Sequence, residues 1–137
     1  MLNVLLVALG GGLGAAGRFG VSLALPARAD GWPFATFAIN VAGSFLIGLL
    51  AGWLSTKGEA GEPWRLLLGV GVLGGFTTFS TFSVEAVGMA RWGNATGALA
   101  YAVSSVVLGV ALVALGRVLG SVAFGSAPYD LQEDEEL

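Results

Sequence analysis

The chain has 137 residues, of which 55% are hydrophobic and only 11% are charged, and its mean hydropathy is +0.84. Soluble domains carry about 25% charged residues, so this composition excludes a soluble globular domain and predicts an integral membrane protein. Because the sequence contains neither Cys nor His, it also excludes disulfides, thiolate nucleophiles, imidazole bases and the usual zinc or haem ligands.

Apolar stretches at about 2–25, 32–54, 64–92 and 95–124 are each near or above the ~20 residues that cross the hydrocarbon layer. Trp residues stand at both ends of the second and third stretches, as an interfacial aromatic belt predicts. The first stretch has no basic residue before Arg18, so we interpret it as a span rather than a secretory signal peptide. We therefore predict an all-α, four-span membrane domain over 1–125 and an acidic, disordered tail over 126–137.

Positive charge is evenly divided between the two sides of the predicted bundle. The side of the termini has Lys57, Arg65 and Arg117, and the opposite side has Arg18, Arg28 and Arg91. Orientation in the membrane follows an imbalance of Lys and Arg between short loops, and this chain has none. It can therefore insert in both directions, which allows an antiparallel pair of identical subunits; a weak bias resolved by other signals is the alternative.

Glycine is abundant, with 23 residues, and several of these lie four apart within the spans. This small-xxx-small spacing lets helix backbones approach closely, so it predicts tight helix packing and carries no information about substrate. The pairs are Gly10/Gly14, Gly48/Gly52, Gly71/Gly75 and Gly116/Gly120.

The third stretch contains the run GGFTTFSTFS, from Gly74 to Ser83. Adjacent glycines followed by Thr and Ser are poor helix formers at the middle of a span, so we predict a helix interruption near Gly74–Thr78. Backbone groups freed at that depth persist only where they are buried in protein or face a polar cavity or a bound ion. Both a glycine kink satisfied by Ser and Thr hydroxyls and an ion-facing interruption fit these residues.

Phe79 and Phe82 are three residues apart and share a helix face. Phe at this depth is usually lipid-facing or packed in a core, but the positive edge of its ring can also coordinate a small anion. Glu85 continues the same face, and a carboxylate within a span is costly, so we treat it as a functional candidate. Hydroxyl groups surround the pair, at Thr78, Ser80, Thr81 and Ser83.

Two polar stripes lie on otherwise apolar helices. Thr36, Asn40 and Ser44 are spaced four apart in the second stretch, and Tyr101 and Ser105 are spaced four apart in the fourth. Interhelical hydrogen bonding explains such stripes equally well. No Lys or Arg occurs between positions 32 and 53 or between 66 and 89, so any anion path along these faces depends on neutral donors.

Three blocks of this sequence resemble the Fluc/CrcB fluoride channels, and the likeness extends from about 4 to 124. The run Gly74–Phe82 is similar to the third-helix signature of that family and is the most specific of the three. Asn40 with Gly43 resembles the second-helix motif, and the segment Gly10–Phe19, with its glycines and Arg18, resembles the first-helix signature.

The resemblance implies a dual-topology antiparallel homodimer with two fluoride pores and a central structural Na+. It implies that Phe79 and Phe82 line the ion path, that Asn40 is the pore asparagine, and that Tyr101 and Ser105 form a polar track. With the neighbouring hydroxyls, the predicted pore residues are Asn40, Phe79, Phe82, Tyr101, Ser105, Thr36, Thr78, Ser80 and Thr81.

By the same resemblance, backbone carbonyls of Gly74 and Thr77 from both subunits hold the Na+, and Glu85 and Arg18 are vestibule residues. This chain has Gly109 where the family often has a hydroxyl one turn beyond the serine of the track. It also has alanine at position 35, where the family often has glycine. Some members of the family work as pairs of unlike chains in which one aromatic pair is degenerate. Because this chain has both Phe79 and Phe82, the resemblance favours a homodimer.

Two other functions fit four apolar helices. A proton-coupled small multidrug exporter would need a buried Glu in the first helix, which has no acid. A structural subunit of a larger complex would show no ion flux and would tolerate change at Phe79 and Phe82. With no nucleotide motif or catalytic pair in the sequence, we predict a passive channel of the cell membrane rather than an enzyme. Its predicted partners are fluoride, lipid and a second copy, and not nucleic acid.

Overall fold

The computed structural model describes residues 1–25 and 31–125. Arg28 and the predicted acidic tail at 126–137 lie outside the described residues. Within the described part, all regular structure is helical, and four helical segments are long and apolar enough to cross a membrane. The predicted all-α, four-span membrane fold is therefore confirmed.

The first two spans and the last span are continuous helices, whereas the third is assembled from several pieces. A short 3₁₀ turn, Gly58–Gly61, precedes the third span. Asn94 begins the last helix by accepting a hydrogen bond from the amide of Gly97 on its side-chain oxygen, at 2.9 Å. The helices are α1 Leu2–Ala24, α2 Phe34–Leu54, α3 Glu62–Trp64, a π-helix Arg65–Leu73, α4 Gly74–Phe76, α5 Phe79–Arg91 and α6 Ala95–Ala123.

Glycines on α1 and on the third span bring these two elements into backbone contact. A methyl group on Gly14 would overlap the carbonyl oxygen of Val72, and one on Gly75 would overlap the carbonyl oxygen of Gly11. The predicted close packing is confirmed here, and the contact fixes how the third span lies against α1.

The pair α2 and α6 packs in the same way and forms the most extensive helix contact of the described chain. A methyl group on Gly48 would overlap the carbonyl oxygen of Val113, and one on Gly120 would overlap that of Leu49. The bundle therefore consists of two glycine-mediated helix pairs, and the second half of the third span, α5, packs on α6.

Two residues in the middle of the third span have extended backbone. Thr77 has φ −77° and ψ 156°, and Thr78 has φ −148° and ψ 114°, between the end of α4 and the start of α5. Gly74 and Gly75 are still helical, so the double glycine does not itself interrupt the helix. Gly75 instead has a packing role against α1, and the threonines have extended backbone.

Candidate ion pathway

Asn40 satisfies the backbone of Thr78, where the third span is extended. Its Nδ2 donates to the carbonyl oxygen of Thr78 at 3.0 Å, and its Oδ1 accepts from the amide of Thr78 at 2.8 Å. A side-chain amide carries two N–H donors, so one N–H of Asn40 is not used by this pair. The residue that holds the extended backbone therefore also retains a neutral donor.

Hydroxyl groups complete the start of α5. The Thr78 hydroxyl oxygen accepts from the amide of Thr81 at 3.2 Å and donates to the Thr81 hydroxyl at 3.0 Å. The Ser80 hydroxyl lies 3.2 Å from the same oxygen. Thr78 is thus the cap of α5, and the positive end of a 13-residue helix dipole lies beside the interruption, which favours an anion there.

Two carbonyls lose their helical donors at the interruption. In a continuous helix the amide of Thr78 would bond to the carbonyl of Gly74, but it donates to Asn40 instead. The amide of Thr81 would bond to the carbonyl of Thr77, but it donates to the Thr78 side chain. Neutral carbonyl oxygens are ligands that alkali cations accept in protein filters, so the oxygens of Gly74 and Thr77 fit the predicted Na+ in chemical type.

Arg18 binds a third carbonyl of this region. Its Nε donates to the carbonyl oxygen of Gly75 at 3.2 Å, from one face of α1. The family resemblance implied a vestibule role for Arg18, but the sequence gave no sign of this contact, because the two residues are 57 positions apart. Arg18 therefore ties the end of α4 to α1.

A cavity of about 360 Å³ lies against the interruption. None of its lining residues is charged. The hydroxyl oxygen of Ser105 is buried and has no hydrogen-bond partner among the described residues, although an unsatisfied buried hydroxyl costs roughly 1–3 kcal/mol. The lining comprises Asn40, Gly43, Ser44, Ile47, Gly69, Leu73, Gly74, Thr77, Thr78, Phe79, Phe82, Ser105 and Val106.

Phe79 and Phe82 form one wall of this cavity. Their ring centroids are 5.5 Å apart, and Phe82 is a further 5.1 Å from the ring of Tyr101. Phe79 is 79% exposed in the single chain, so most of its ring lacks protein contacts, whereas Phe82 is half-buried. The pair therefore connects an open face of the molecule with its aromatic core.

Glu85 forms a second polar cluster beyond Phe82. Its Oε1 accepts from the Thr36 hydroxyl at 2.8 Å and its Oε2 accepts from the Tyr101 hydroxyl at 2.9 Å. Tyr101 has no exposed surface. Thr36 and Tyr101 therefore bind Glu85 and do not line the cavity, and Phe82 lies between the two places because it lines the cavity and contacts Tyr101. Of the other predicted pore residues, Ser80 and Thr81 lie outside the lining and contact the Thr78 hydroxyl, and the cavity is lined by Asn40, Thr78, Phe79 and Ser105.

Aromatic residues that the sequence did not single out for this site surround Tyr101. Trp32 meets the ring of Tyr101 edge to face at 5.5 Å, and Phe37 lies at 6.5 Å. Trp32 was interpreted only as an interface residue. Its position two residues before α2 gave no sign of the contact with Tyr101, which lies on the last helix.

Comparison with known proteins places all of these residues inside one family match. The family model described as CrcB-like protein, camphor resistance (CrcB), matches residues 5–117. Three similar proteins are each named fluoride-specific ion channel FluC. That of Caulobacter vibrioides NA1000 is 44% identical over 126 residues, 90% of this chain and 99% of its own. That of Hyphomonas neptunium is 51% identical over 118 residues (85% and 93%), and that of Novosphingobium aromaticivorans is 52% identical over 115 residues (80% and 89%).

Proposed function

The chain belongs to the CrcB family, and on that premise we propose that it is a fluoride-selective channel through which fluoride leaves the cytoplasm passively. It is a multi-pass protein of the cell membrane and an ion channel rather than an enzyme. The observation that carries the proposal is the cavity beside the interruption, which combines the unpartnered Ser105 hydroxyl with a free N–H of Asn40 and has no charged lining residue.

Fluoride is small, strongly hydrated and a very good hydrogen-bond acceptor, so a selective path must replace its water shell with closely spaced donors. Ser105, Asn40 and the ring edges of Phe79 and Phe82 supply such donors and positive edges around one cavity. A larger anion fits these contacts less tightly. Because hydrogen fluoride crosses membranes and ionises in a neutral cytoplasm, a passive channel is sufficient to release the trapped anion.

The path we propose runs from the cavity past Phe82 to the hydroxyls of Tyr101 and Thr36 beside Glu85. The hydroxyls of Thr78, Ser80 and Thr81 surround its start at the N-terminus of α5. Phe82 connects the two parts of this path, because its ring lines the cavity and also contacts Tyr101.

The assembly we propose is an antiparallel homodimer with two such pores. Support comes from the exposed ring of Phe79 in the middle of the third span and from the equal division of Lys and Arg between the two sides. The partner would cover the open face on which Phe79 lies.

The carbonyls of Gly74 and Thr77 from the two subunits would hold one Na+ at the centre of this dimer. A cation bound there would supply positive charge that offsets these carbonyl dipoles. This chain contributes by withholding the helical donors of both carbonyls, since Asn40 and the Thr78 side chain take the amides that would otherwise bond there.

Purified protein in liposomes tests the proposed function. Vesicles that contain only this chain should release fluoride down its gradient and retain chloride. The Ser105→Ala variant removes the unpartnered hydroxyl and should release fluoride more slowly than the wild type. A folded, dimeric wild-type protein that releases no fluoride would contradict the proposal and favour a structural subunit.

A further inference from the structure

The carboxylate of Glu85 is an anion that belongs to the protein itself, and two neutral hydroxyls bind it. The carboxylate oxygens accept one hydrogen bond each, from Thr36 at 2.8 Å and from Tyr101 at 2.9 Å. Each hydroxyl carries a single hydrogen, so both donors are fully used. Among the described residues, Glu85 forms no ion pair with Lys or Arg, and the carboxylate is held by neutral donors alone.

Fluoride needs the same donors. The two hydroxyls assigned to the pore beyond Phe82 cannot donate to fluoride while they donate to Glu85, because neither has a second hydrogen. We propose that the Glu85 carboxylate is a tethered anion that occupies a fluoride site formed by the hydroxyls of Thr36 and Tyr101, and that fluoride enters by displacing it. This inference rests on the proposed function.

The donors are fixed and the carboxylate is free to move. Tyr101 has no exposed surface and is packed against the rings of Phe82, Phe37 and Trp32, so its hydroxyl keeps its position. Thr36 is also buried. Glu85 is only half-buried and its side chain has rotatable bonds that carry the carboxylate away from both hydroxyls.

The site adjoins the proposed path. The Phe82 ring lies 5.1 Å from the Tyr101 ring and lines the cavity next to Asn40 and Ser105. Fluoride that passes Phe82 therefore reaches the hydroxyl pair directly. Two anions at one pair of donors repel each other, so fluoride and the carboxylate occupy it alternately.

Substitution of the carboxylate tests the inference. A competitor that occupies the site raises the apparent dissociation constant of fluoride, because the intrinsic constant is divided by the fraction of time that the site is open. In Glu85→Gln, the fluoride concentration that gives half-maximal flux should therefore fall by about fivefold or more, the lower end of typical coupling between sites. Glu59→Gln, on the exposed turn before the third span, removes the same charge elsewhere and should leave this concentration unchanged.

A purely structural role for Glu85 predicts a different result. If Glu85 only anchors Tyr101, then Glu85→Gln would change the maximal flux or dimer stability and leave the half-saturating concentration as in the wild type, which would overturn the inference. A wild-type protein without fluoride flux would instead overturn the proposed function.

Thr36→Val decides the question if Glu85→Gln fails to fold. It keeps the side-chain shape and removes one of the two donors. Fluoride and the carboxylate both lose this donor. Glu85→Asp, whose shorter side chain withdraws the carboxylate, should therefore lower the half-saturating fluoride concentration in the wild type and change it less in the Thr36→Val background. An equal effect of Glu85→Asp in the two backgrounds would overturn the inference.

Discussion

At the scale of single residues, the interruption of the third span depends on Asn40. Its side chain replaces the helical hydrogen bond that the Thr78 amide loses by being extended and donates to the Thr78 carbonyl oxygen as well, in a region where water does not satisfy the backbone. Its position on α2 was predictable, because the Thr36–Asn40–Ser44 spacing marks a polar stripe. Its partner was not, because nothing local identifies a contact 38 residues away.

We predict that Asn40→Leu destabilises the fold by about 1–3 kcal/mol. The change leaves the N–H of Thr78 without a partner, and an unsatisfied buried group costs roughly 1–3 kcal/mol. Thermal unfolding of the purified protein in detergent measures the loss. Asn3→Leu, at an exposed position of α1, is the matched control, and equal stability of the two variants would contradict this role of Asn40.

We also predict that Phe79→Ile and Phe82→Ile each abolish fluoride efflux while the dimer stays folded. Isoleucine keeps much of the apolar volume but has no aromatic edge to offer an anion. Efflux from liposomes, together with gel filtration of the same samples, separates conduction from assembly. Phe19→Ile, at an exposed ring of α1, should conduct as the wild type does, and unaltered flux in both pore variants would remove the rings from the mechanism.

At the scale of helices, the fold rests on backbone contact at glycines. We predict that Gly14→Ala destabilises the protein by at least about 3 kcal/mol, the upper end of overpacking costs, because the added methyl group would overlap the Val72 carbonyl. A backbone carbonyl cannot rotate away as a side chain can, so α1 would have to separate from the third span.

Gly20→Ala is the control on the same helix. A methyl group there meets nothing within 4 Å, so the higher helix propensity of Ala should leave stability unchanged or raise it by up to about 1 kcal/mol. Unfolding temperatures of the two variants, measured side by side, test the distinction. Similar temperatures would mean that the glycine contacts with the third span contribute little.

The sequence predicted the spans and the glycine contacts well, since both follow from local composition and spacing. It did not predict the π-helix at Arg65–Leu73 or the exact place of the interruption. Both features depend on how the third span packs against its neighbours. Gly75 is helical and its backbone contacts Gly11 of α1, and the extended residues are Thr77 and Thr78. Likewise, Thr36 and Glu85 were each singled out, but their pairing across 49 positions became visible only in the structure.

At the scale of the whole molecule, the equal division of basic residues is the property that permits two orientations. A small added imbalance should therefore select one orientation. The turn before the third span and the start of α6 lie on opposite sides of the membrane, because one span separates them. Lys pairs at these two places, Glu59→Lys with Ala60→Lys and Ala95→Lys with Thr96→Lys, should consequently bias insertion in opposite directions.

We predict that either lysine pair alone gives a single orientation and little fluoride efflux, since an antiparallel dimer needs both orientations. Co-expression of the two variants should restore efflux, because each then supplies the orientation that the other lacks. Accessibility of a terminal tag from each face of the membrane reports orientation directly. A wild-type protein with its tag on one face only, or full efflux from one biased variant alone, would contradict the antiparallel assembly while leaving the cavity and its donors unaffected, because these belong to the single chain.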